Sequence, residues 1–119
     1  FYIQYAHARV ASVMKELAAR GLRYDDALGR SAALADTGAA LGSDAAKALL
    51  TAISRYPEVI EHAAAQRAPH ALAHYLRDLA NEVHSFYAAE RMLVAEDDLR
   101  AARVWLLRGA QQVIRNGLA

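Results

Sequence analysis

From Ile3 to Ile114 the apolar residues of this chain fall three and four positions apart, and no stretch alternates residue by residue as a half-buried strand does. A period of this kind buries one stripe of a helix and cannot supply the face of a sheet. The pattern therefore predicts an all-α fold, a helical bundle, with residues 1–119 as a single domain. The first stripe is Ile3, Ala6, Val10, Val13, Met14 and Leu17, with Gly21 where a C-terminal cap belongs. Residues 22–42, broken by Gly29, Gly38 and Gly42, read as short helical turns in a long, variable connection. Ser43 and Asp44 open a helix through Ala48, Leu49, Ala52 and Ile53, which Pro57 interrupts after Tyr56. A short helix from Glu58 to about Gln66 follows. Pro69 is placed as the first residue of a long helix whose period runs through Leu72, Tyr75, Leu76, Leu79, Val83, Phe86 and Tyr87. The segment 91–95 is apolar and is expected to tuck under the bundle. Asp97 and Asp98 open a last helix with Leu99, Ala102, Leu106, Val113 and Ile114 inward.

Length and composition exclude several classes. A chain of 119 residues, 55% of them apolar, can bury a core and is not disordered. It has no cysteine, so disulfides, thiol nucleophiles and cysteine-ligated zinc are excluded, which fits a reducing, cytoplasmic setting. No apolar run approaches the ~20 residues that span a bilayer, and the start lacks the features of a signal peptide. It begins without Met inside a helical pattern, so a piece of a longer protein is expected.

Catalytic constellations are missing from the sequence. It has no phosphate-cradling Gly-rich loop, nucleophile elbow or HExxH spacing. His70 and His74 share a helix face without an evident third ligand, so no metal site is expected. The polar faces are more informative. Tyr2, Tyr5, Arg9 and Ser12 follow one another off the first apolar stripe; His74, Arg77, Asn81, His84 and Arg91 form a second row, and Arg100, Arg108, Gln111 and Arg115 a third. Tyrosine one turn before arginine offers a ring for base stacking and a fork for phosphate. Net charge is only +1, but both ends of the chain are basic around an acidic middle, and 99–119 holds four arginines and no acid. Neighbouring end helices would focus a positive patch.

Three segments carry a resemblance. "FYIQYAHARVASV" resembles the helix that opens the C-terminal domain of arginyl-tRNA synthetases; "YPEVIEHAAAQRAPHALAHYLRDLANEVHSFYAAERML" and "RVWLLRGAQQVIRNGLA" resemble its leucine-rich helix and its last helix. The resemblance covers nearly the whole chain apart from 22–42. It implies the DALR-type anticodon-binding bundle of a class I aminoacyl-tRNA synthetase, a domain that holds the anticodon stem-loop of arginine tRNA. The parent enzyme would join arginine to its tRNA with ATP and Mg²⁺, using a catalytic domain that precedes Phe1; the piece alone is expected to be non-catalytic, cofactor-free and monomeric. Relatives usually continue past this point to a C-terminal methionine that approaches the anticodon. Within this reading the candidate RNA-contacting residues are Tyr2, Gln4, Tyr5, Arg9, His84, Arg91, Arg108 and Arg115. The alternative is a helical protein-interaction or scaffold domain that uses the same faces without RNA.

Overall fold

The computed structural model describes residues 2–118, and there it consists of six helices: α1 Tyr2–Ala19, α2 Asp26–Ala35, α3 Asp44–Ser54, α4 Tyr56–Gln66, α5 Pro69–Ala89 and α6 Asp97–Leu118. Local chemistry sets the ends. Gly21, at φ 68°, closes α1 in the left-handed conformation that glycine adopts without strain. The Asp25 carboxylate accepts from the Leu28 N–H to start α2, and the Ser43 hydroxyl accepts from the Ala46 N–H to start α3. Pro69 occupies the first turn of α5.

Three expectations need correction. The segment 22–42 is less a string of turns than one ten-residue helix, α2, followed by a loop. Pro57 does not separate α3 from a later helix; it lies inside the first turn of α4, where its missing N–H has no intrahelical partner to lose. On α3 it is Ala46 with Leu49 that is buried, and Ala48 faces out.

α5 is central, packing against α1, α3, α4 and α6, while α2 lies along α6. Leu17, Leu49, Leu79, Val83, Phe86, Val104, Leu106, Leu107 and Ile114 form one fully enclosed core. The Tyr75 hydroxyl ties α5 to α3 by donating to the Ala52 carbonyl. α2 approaches α6 closely because its inward residue is Gly29: a Cβ there would lie 2.7 Å from the Trp105 Cβ and 2.6 Å from the Tyr24 hydroxyl oxygen.

Two loops are pinned to α6 by one buried side chain. Arg103 donates to the carbonyls of Ala39, Ala40 and Arg91 and pairs with Glu90 at 3.2 Å. On the first of these loops Asp36 accepts from the N–H groups of Gly38, Ala40 and Leu41. On the second, Met92 is buried and Leu93 and Val94 are half-buried, as the apolar character of 91–95 implies.

Candidate nucleic-acid interface

The period that buries Ala6, Val10 and Val13 of α1 turns Tyr2, Tyr5 and Arg9 towards the C-terminal half of α5, where His84 and Tyr87 face them. The His84 ring lies 4.8 Å from the Tyr2 ring and 5.1 Å from the Tyr5 ring. The Arg9 guanidinium sits 4.4 Å from the centre of the Tyr87 ring and 5.0 Å from that of Tyr5, within cation–π range. It donates to the Tyr5 hydroxyl at 2.9 Å and lies 3.1 Å from His84 Nδ1. A guanidinium only donates, so Nδ1 must present its lone pair and the imidazole is neutral, its proton on Nε2. Nε2 is enclosed without a hydrogen-bond partner among the described residues. Burial, and then the Arg9 charge, hold the His84 imidazole below its ordinary range, with the Tyr2 backbone pulling weakly the other way.

Tyr2 and Tyr5 remain 39% and 54% exposed, so this aromatic cluster is a surface and not a core. Among the described residues Arg9 forms no ion pair with a carboxylate. Its charge is oriented by three aromatic rings and one phenol, and is not neutralised. A cavity of about 510 Å³ continues from this cluster between α1 and the end of α5, with Arg20, Tyr87 and Arg91 on its walls. Arg91 is exposed at the mouth of the loop whose backbone Arg103 holds.

The remaining candidates lie elsewhere. Gln4 and Arg115 meet His7 and Leu118 around a separate, more apolar cavity of about 400 Å³ at the end of α6. Arg108 faces α2, where it reaches the Asp26 carboxylate at 3.5 Å and donates to the Gln111 amide oxygen at 2.6 Å. The Tyr24 hydroxyl donates to the same Asp26; burial, then that carboxylate, push its phenol well above its ordinary range.

The expected third stripe is not a solvent face. Arg100 and Gln111 are buried, and so is Arg103. Arg100 donates to the carbonyls of Val94 and Ala95 and pairs with Asp97, which closes the loop onto the start of α6. The expected second stripe also divides: His74 lines a cavity against α4, Asn81 one against α3, while His84 turns to α1 and Arg91 lines the cavity beside it. Tyr87 continues the apolar period of α5, yet it is 38% exposed and carries Arg9. A phenol one residue past the buried Phe86 was the available signal.

Among the described residues no group of three His, Asp or Glu side chains could hold a metal ion, and no helix is long and apolar enough to cross a membrane.

The same sequence compares clearly with known proteins. It is 47% identical over 118 residues to an arginine–tRNA ligase of Coxiella burnetii strain RSA 331, covering 99% of this chain and 19% of that protein. It is 47% identical over 120 residues to one of Legionella pneumophila strain Corby, covering all of this chain and 20% of the relative. It is 50% identical over 119 residues to one of Burkholderia mallei strain SAVP1, again covering all of this chain and 19% of the relative. The chain thus spans about a fifth of the length of the curated relatives it matches. The family model described as the DALR anticodon binding domain matches residues 3–119. With the family model matched from Ile3 to the last residue and the described residues all-helical as that family implies, the chain belongs to the DALR anticodon-binding domain family.

Proposed function

We propose that this chain is the anticodon-binding domain of an arginine–tRNA ligase and that it holds the anticodon stem-loop of arginine tRNA against the α1/α5 face. The parent enzyme would attach arginine to that tRNA with ATP and Mg²⁺ in the cytoplasm, through a catalytic domain outside these residues. The observation that carries the site is Arg9: a guanidinium with no carboxylate partner among the described residues, laid on Tyr87 and bonded to Tyr5, beside two half-open phenol rings. RNA loops are read by stacking splayed bases on such rings and by contacts to their phosphates. Arg91, on the adjoining cavity, is an outer contact of this face, and Gln4 and Arg115 form a second contact around their own cavity. Arg108 is the weakest of the candidates, because Asp26 and Gln111 already engage it. The domain works as a monomer in this reading, since one chain presents the whole face.

The test is titration of the chain with arginine tRNA and with an unrelated tRNA at fixed moderate salt. Tyr5→Phe keeps the ring and should bind nearly as well, while Tyr5→Ala should lose about 1–3 kcal/mol of binding. Equal affinity for both tRNAs, or an unaltered Tyr5→Ala, overturns the assignment. A protein-interaction role has one observation in its favour, the exposed Leu28 and Leu34 on α2, and loss of tRNA discrimination would direct attention there.

A further inference from the structure

The Arg9–His84 contact has a property that aromatic packing alone would not give it. Arg9 can donate to His84 Nδ1 only while that nitrogen is unprotonated. A proton arriving on Nδ1 abolishes the bond and places two cations side by side. The groups that face His84 from α1 are the phenols of Tyr2 and Tyr5 and the Arg9 guanidinium, and on α5 itself Tyr87 shares Arg9. Among the described residues, hydrogen bonds, ion pairs and ring contacts bring no charged group of α3, α4 or α6 to this ring. The described residues therefore supply no anion to hold a protonated His84 beside Arg9. A bound phosphate would.

We propose that His84 is a proton-linked positioning residue for Arg9: an RNA phosphate docks at Arg9 with uptake of one proton on His84 Nδ1, and the two side chains then donate together to its oxygens. The proposal rests on the RNA-binding reading above. Solvent provides the proton, the only new bond is Nδ1–H, and the protein's own charge rises by one to offset the charge of the arriving phosphate. At higher pH His84 remains an acceptor that holds the guanidinium against Tyr87. At lower pH it becomes a second donor. Because linkage is reciprocal, whatever RNA does to the proton affinity of His84, protons do to the affinity for RNA. Affinity must rise as pH falls.

The direct test is anisotropy titration of the chain with a labelled arginine tRNA anticodon stem-loop between pH 5.5 and 8 at constant ionic strength. Affinity should increase on acidification with a slope approaching, and not exceeding, about tenfold per pH unit, the limit for one proton. His84→Gln offers Arg9 an amide oxygen but cannot titrate; whatever its absolute affinity, it should lose that slope. His84→Phe keeps a ring but no acceptor, and it should bind more weakly at every pH. Nitrogen NMR of the free chain at pH 7 should show the Nε2–H tautomer for His84. A parental slope retained in His84→Gln, or an Nδ1–H tautomer in the free chain, overturns the proposal while leaving RNA binding intact. Absence of binding at any pH overturns both readings, and so separates that failure from the first.

Discussion

Glycine to alanine inside a helix ordinarily stabilises it by up to about 1 kcal/mol, because alanine has less backbone freedom to lose. At Gly29 the structure reverses that sign. The added methyl would lie 2.7 Å from the Trp105 Cβ and 2.9 Å from the Tyr24 Cε1, whereas carbon pairs rest at about 3.5–4.0 Å. Trp105 Cβ is fixed to the α6 backbone, so relief needs about 1 Å of separation between α2 and α6. Tyr24 would also have to give up its bond to Asp26. Overpacking of this size costs about 1–3 kcal/mol, and after the propensity gain a net loss of about 1–2 kcal/mol is expected for Gly29→Ala. The control is Gly109→Ala on α6, where the nearest atom to the new methyl is Ile53 Cδ1 at an ordinary 3.7 Å; it should be neutral or stabilising. Urea unfolding of the three chains gives the comparison, and the chain's single tryptophan, Trp105, reports from the contact itself. If Gly29→Ala unfolds at the same or higher urea concentration with the parental tryptophan signal, α2 does not sit against α6 as described.

Other outcomes follow from the buried polar groups. Arg103→Met should cost about 3–5 kcal/mol, because it strands Glu90 and three loop carbonyls, and Arg103→Lys should recover only part of that; an unchanged urea midpoint for Arg103→Met would refute the pin. Burial pushes the Asp36 carboxyl up, but the Ala40, Leu41 and Gly38 N–H groups and the Arg103 charge together bring it below the ordinary carboxylate value. A carboxyl depressed in the folded chain adds stability above its unfolded value, about 3.9, and loses it as pH falls through the lower folded value. The difference in stability between the parent and Asp36→Asn should thus be full at neutral pH and vanish in acid; a difference that grows in acid would contradict the geometry.

The helices were legible where an apolar period marks them: α1, α5 and α6 lie close to where their stripes place them. α2 was not, because its inward contact is made by a glycine and both its leucines, Leu28 and Leu34, face out. The site was legible on one side only. Tyr2, Tyr5 and Arg9 form a visible row, but the bond from Arg9 to His84 spans 75 residues and depends on how α1 crosses α5. The polar row on α6 misled for a related reason. Arginine is ordinarily a surface residue, yet Arg100 and Arg103 point inward because loop carbonyls need donors there. Those carbonyls belong to loops whose position only the folded chain defines.

The seat of α2 on α6 also orders events during synthesis. α3, α4 and α5 are consecutive, and they pack on one another through contacts close in sequence. Such local contacts close early and fast. α2 instead waits for a partner made some seventy residues later, and α1 shares that dependence, since α6 covers part of its apolar stripe. A ribosome working through this chain therefore leaves α2 and part of the apolar stripe of α1 uncovered until α6 emerges. The α1/α5 face can form before α6 is complete, but it is held rigid only once α6 has been made.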